Sequence, residues 1–197
     1  MHLLFDIFSG IGIAAAAGIR PFLPGLVAGL LGLADFGVHF NHSSFAFVGK
    51  APFLIVVALA AVVLIALEAS RRGALLDEGR GVWLSGLFGA AVGAIVFGGL
   101  LAHQHDAVWP GLVGGVLCAG AGVLAARPFL RRLRGRLDAE AAALGVPLIA
   151  EGAALLAALL SAVAPPAGIV VLLGLAGIWF TGRGREAQKY AGLRILR

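Results

Sequence analysis

The chain is a series of long apolar runs separated by short clusters of charge. Five runs are clean, at about residues 51–70, 82–102, 107–126, 146–163 and 167–182. Each approaches or meets the roughly 17–25 mostly apolar residues that a helix needs to cross a bilayer. None alternates polar and apolar residues, as the strands of a membrane barrel do. The last two flank Ala164-Pro165-Pro166, which no helix passes unbroken, so they read as a helical hairpin.

The first forty residues are more complex. Residues 3–34 are apolar but interrupted at Gly18-Ile19-Arg20-Pro21 and again at Pro24. One helix of that length would run to about 48 Å, too long for a hydrocarbon core of about 30 Å. Either two helices (about 3–19 and 21–38) meet at Arg20-Pro21, or one broken segment is partly re-entrant; we adopt two helices. The pattern then predicts an all-α, polytopic transmembrane bundle of about seven helices, forming one integral-membrane domain over residues 1–197.

Composition agrees. Of 197 residues, 60% are hydrophobic and 13% charged, with mean hydropathy +1.01. A soluble domain is about 45–50% apolar and about 25% charged. The 30 glycines suit helices that pack through small residues. Gly89-x-x-x-Gly93 and Gly111-x-x-x-Gly115 serve either packing within one subunit, the plainer reading, or a homo-oligomer. Cys118 stands alone in an apolar run, which excludes a disulfide framework or a thiolate metal site.

The net charge of +5 does not point to nucleic acid, because the basic residues flank apolar runs. Arg71, Arg72 and Arg80 form one cluster. Arg127, Arg131, Arg132, Arg134 and Arg136 form another, and Arg183, Arg185, Lys189, Arg194 and Arg197 a third. The alternate loops carry only Lys50. With five crossings after residue 50, all three clusters fall on one face, which the positive-inside rule makes cytoplasmic. Two earlier helices put Arg20 on that side and the N-terminus outside. Trp83, Trp109 and Trp179 fall near predicted helix ends, as interfacial indoles do. The N-terminus lacks a basic stretch and a small-residue cleavage site, so Met1 reads as the start of the mature protein.

Residues 128–142 place Leu130, Leu133 and Leu137 at helical spacing among arginines. They read as a cytoplasmic amphipathic helix on the lipid surface, with Arg131, Arg132, Arg134 and Arg136 toward anionic headgroups. Residues 183–197 read as a basic cytoplasmic tail. Arg20-Pro21-Phe22-Leu23 recurs as Arg127-Pro128-Phe129-Leu130, each after an Ala/Gly-rich helix. That pattern suggests two parallel three-helix repeats around the helix at 82–102, a three-plus-one-plus-three order.

An ionisable group within a spanning helix costs about 2.5–3.5 kcal/mol at its centre on insertion scales. Arg20, Glu68, Arg127 and Glu151 are therefore candidates, with Glu151 foremost. Arg20 or Arg127 paired with Glu68 or Glu151 would form a gate or proton-coupled site, or more plainly fix helix packing. Pro21 and Pro24 break the helix and free backbone groups, which lipid does not tolerate but a protein-lined path does. His39, His42, His103 and His105 fall on the outer face with Asp35 and Asp106 nearby. They are either metal-binding imidazoles or ordinary loop histidines. No phosphate loop, dinucleotide fingerprint, zinc-protease helix or serine elbow is present, so neither a cofactor nor soluble-enzyme chemistry is expected.

Gly18-Ile-Arg-Pro-Phe-Leu-Pro24, Glu68 closing the next long helix, and Lys189-Tyr-Ala-Gly-Leu-Arg-Ile-Leu-Arg197 together resemble a bacterial integral-membrane family, domain-of-unknown-function family 4126. The resemblance covers most of the chain. In that family an Asp-Lys-Ile-Pro-like stretch often follows the acidic residue, whereas here Glu68 is followed by Ala69-Ser70-Arg71-Arg72. The resemblance implies a bacterial inner-membrane location and no particular reaction. Three functions fit these observations: a small transporter or channel for an ion or solute, a non-transporting scaffold or accessory subunit, and a lipid-handling protein.

Overall fold

The computed structural model describes residues 2–40, 43–70, 79–104 and 108–193. These form seven α-helices, with no strand among the described residues. The helices are α1 (His2–Ile19), α2 (Phe22–Leu33), α3 (Ala51–Ser70), α4 (Gly79–Gln104), α5 (Trp109–Arg134), α6 (Ala139–Val163) and α7 (Pro166–Leu193). The windows Trp83–Ala102, Trp109–Arg134 and Glu140–Val163 are long and apolar enough to cross a membrane. Large side chains such as Leu84, Leu87, Leu117, Leu148, Val170 and Phe180 point outward from α4, α5, α6 and α7. Water would penalise that surface and a bilayer accommodates it, so the molecule is a transmembrane helical bundle.

Close contacts fix the directions of the helices. Ala17, Ala14 and Gly10 of α1 lie against Gly89, Gly93 and Phe97 of α4, so these two are antiparallel. Gly93 and Gly98 of α4 meet Gly115 and Gly111 of α5, again antiparallel. Phe22 and Gly25 of α2 meet Phe88 and Val92 of α4, so α2 runs with α4. Gly25 and Gly29 of α2 approach Val57 and Leu54 of α3, an antiparallel pair. Gly12 of α1 lies by Ser161 of α6, and Ala16 clusters with Ala157 and Ala158. Phe8 meets Gly168 of α7 and Ala15 meets Leu175. The seven helices thus alternate in direction. The C-terminal ends of α1, α3, α5 and α7 and the starts of α2, α4 and α6 all point toward one side, the basic one.

Both glycine motifs are spent on packing inside the chain, Gly93 on Gly115 and Gly89 on the Ala17 carbonyl. Three helices stand on either side of α4 in chain order, and α1 and α5 run parallel beside it. They cross where Gly122 meets the carbonyl of Ala15, positions that correspond when the two Arg-Pro-Phe-Leu sequences are aligned. Their surroundings differ. Helix α1 is enclosed by α2, α4, α5, α6 and α7, while α5 makes no comparable contact with α2 or α3 among the described residues. Ile13 through Ala17 are completely buried as a result.

The two-helix reading of the first forty residues holds, but α2 stops at Leu33 rather than near 38. Twelve residues span only about 18 Å, little more than half the hydrocarbon core. The segment after α2 makes up the difference by folding back into the bundle. Val38, Phe40 and Val48 are buried, and the Phe40 ring fills the space beside Gly32 and Gly99. Irregular backbone at this depth is tolerable because protein, not lipid, surrounds it. Gly37 adopts φ +70° where it passes the Ala162 carbonyl, and Asp35 also has positive φ. Asp can visit that region at modest cost; a bulkier side chain would be strained there.

Two prolines expected at helix boundaries lie inside helices. Pro128 is within α5 and Pro147 within α6. The turns beside them are held by a shared cluster of Ala126 and Leu130 with Ala142, Val146 and Ala150, which offsets the lost backbone hydrogen bonds. Residues 128–142 are consequently not one surface helix. They are the last two turns of α5, a turn through Gly135, Arg136, Leu137 and Asp138, and the start of α6.

Candidate functional site

The break between α1 and α2 is built by its sequence. The Arg20 amide still donates to the Ala16 carbonyl, at 3.2 Å. Pro21 has no amide to continue the ladder, so the chain turns and α2 begins at Phe22. The first four amides of a helix have no partner within it. Pro21 and Pro24 lie at this helix start and remove two donors that would otherwise be stranded. The start is buried: Pro21, Phe22 and Pro24 are all enclosed.

Arg20 is 2% exposed, the largest fully buried side chain among the described residues. Glu151 is 9% exposed. It is the middle residue of α6, deeper than the sequence indicates, because α6 begins at Ala139 and not near residue 146. The antiparallel register of Gly12 with Ser161 and of Ala16 with Ala157 continues to Arg20 opposite residues 152–154. Arg20 and Glu151 therefore lie within a turn of one another in depth, in the protein interior. Both side chains have interactions, and each also keeps one buried atom, Nε of Arg20 and Oε2 of Glu151, without a hydrogen bond. An isolated charge buried in this way is costly, and opposite charges offset that cost only with close, well-satisfied geometry.

The other predicted residues are dispersed. Arg127 is half-buried and turns to α4, where a Cβ on Gly86 would come within 2.8 Å of its Nη2. Arg127 lies at a similar depth to Arg20, because Ala15 is opposite Gly122 and Ile19 packs with Ala126, but its guanidinium turns to α4. Glu68 lies in the last turn of α3, and its side chain is outside the described residues. His39 Nε2 is 3.8 Å from Asp35 Oδ1. His42 and His105 lie outside the described residues, as does the His103 side chain. Among the described residues no three His, Cys, Asp or Glu side chains are grouped to hold a metal. Arg131 and Arg136 are exposed and Arg132 and Arg134 half-buried at the basic end.

A family model matches residues 7–183, nearly the whole bundle, under the description "Domain of unknown function (DUF4126)". The chain belongs to this family. No curated protein and no solved structure matches it. DUF4126 membership fits the resemblance carried by Gly18–Pro24, the segment that here forms the buried helix break.

Three further polar residues of this DUF4126 bundle stand out only in the structure. Ser9 and Ser161 are buried, and the Ser161 hydroxyl donates to the Ala157 carbonyl at 2.6 Å, next to Gly12. Asp6 is half-buried in α1. The rule that singled out Glu151, an ionisable group in an apolar helix, applies equally to Asp6. The serines carry a weaker signal, because a hydroxyl can satisfy itself on its own helix.

Proposed function

We propose that the protein is a small transporter or channel for an ion or small solute, with its path passing the break at Arg20–Pro24 and Glu151. The observation that supports this reading is the burial of two opposite charges at one depth beside a broken helix. A bundle that needed only to pack would place apolar side chains there, since burying charge costs on the order of several kcal/mol per ion. Intramembrane charges and half-helices are the usual parts of substrate and ion sites. The sealed stretch Ile13–Ala17 closes the outer side of the path and is the part that must yield for passage. The basic end faces the cytoplasm and the N-terminus lies outside, in a bacterial inner membrane, as the clustering of arginines at that end favours.

The test is flux in proteoliposomes. Glu151→Gln keeps the shape of the side chain and removes its charge. It should lower flux at unchanged expression. Absence of any flux of ions, metals or small solutes above that of empty vesicles would refute the reading.

A further inference from the structure

At the basic end, Phe129, Arg132, Leu133 and Arg136 line a cleft. They stand three and four residues apart, so the end of α5 and the turn beyond it present them on one side. Two features make this more than a row of surface charges. First, Arg132 is packed across the bundle: its guanidinium lies against Gly182 of α7, where a Cβ would come within 3.2 Å of Cζ. A guanidinium held in place loses less freedom on binding than one waving in solvent. Second, the described residues of the lining are half apolar and half cationic.

The depth of the cleft decides what such a lining fits. Helix α5 begins at Trp109, whose indole is exposed at the outer end. About 20 helical residues cross a hydrocarbon core of about 30 Å. Counting from Trp109, that crossing ends at Phe129. Phe129 and Leu133 therefore lie where acyl chains end, and Arg132 and Arg136 where lipid phosphates begin. Guanidinium groups bind phosphate oxygens in paired, charge-assisted hydrogen bonds.

We propose that this cleft binds the phosphate of an anionic phospholipid, with the upper acyl chain against Phe129 and Leu133. The site is independent of the transport reading. It narrows the basic surface of the sequence to two arginines: Arg131 is exposed at the same end but is not part of the lining.

The experiment uses the full chain in a neutral detergent. Binding of short-chain phosphatidylglycerol, phosphatidylcholine and inorganic phosphate is measured by the shift in melting and by titration. Phosphatidylglycerol is expected to bind the more tightly of the two lipids. Arg136→Gln, a change at an exposed position in a turn, should weaken it about tenfold, the loss of one charge-assisted contact. Arg131→Gln removes the same charge outside the cleft and should change it far less. Equal loss in the two variants would reduce the effect to general surface attraction and overturn the site. So would equal binding of the two lipids. Inorganic phosphate binding as tightly as phosphatidylglycerol would overturn the lipid assignment, because the acyl contacts would then contribute nothing.

Discussion

Gly122→Ala is the sharpest test of how closely α1 and α5 approach. A Cβ at residue 122 would overlap the carbonyl oxygen of Ala15, and it would also sit 3.1 Å from the Cα of Gly18. The obstruction is backbone on both counts, so no rotamer change relieves it and the helices must separate. Forced overpacking of this kind costs about 1–3 kcal/mol. Replacing Gly by Ala within a helix also brings a gain of up to about 1 kcal/mol, which would partly mask the cost. Gly120→Ala supplies the control. It lies two residues away on the same helix, and a Cβ there meets nothing within 4 Å. The propensity gain is common to both variants, so their difference isolates the steric cost, about 1–3 kcal/mol in favour of Gly120→Ala. Reversible unfolding in mixed detergent micelles measures it. If Gly122→Ala proves as stable as Gly120→Ala, the backbone contact that encloses α1 is not there.

Two further outcomes follow from the buried charges and from the helix directions. Arg20→Met and Glu151→Met should each destabilise the bundle more than the double variant does, with a coupling of about 0.5–3 kcal/mol; simple additivity in the same unfolding assay would show that the two charges do not sense each other. In a Cys118→Ser background, single cysteines at Ser44 and at Arg136 should react with a membrane-impermeant maleimide from opposite sides, Ser44 from outside in intact cells; labelling of both from one side would contradict the alternation of helices.

Much of the bundle was legible because the bilayer is a severe filter. Runs such as 51–70 and 82–102 had to be helices, and they are α3 and the body of α4. The turn at Arg20-Pro21 was legible for the same reason, since one helix could not fit the membrane. What sequence concealed was tertiary. Pro128 and Pro147 looked like boundaries, and their helices pass through because Leu130 and Val146 are buried in a common cluster. Local backbone preference loses there to packing across α5 and α6. The shortness of α2 was hidden too, because Val38 and Phe40 are apolar enough to read as more helix, and only their contacts with the bundle show them to be a return loop. Glu151 was recognisable as a candidate from its setting alone. Its proximity in depth to Arg20 depends on the α1–α6 register, which no local pattern encodes.

The position of α1 has a consequence for how the protein is made. It leaves the ribosome before the helices that bury it, which are mostly α4, α5, α6 and α7. Its alanine and glycine face has no permanent neighbour until α4 and α5 have entered the membrane, and it is fully enclosed only after the final hairpin. Helix α2, at about 18 Å, is too short to be held across a bilayer by its own apolar length. The N-terminal third must therefore wait as a provisional hairpin, shielded by lipid or by the insertion machinery. The native bundle then closes around α1 as α4, α5, α6 and α7 arrive.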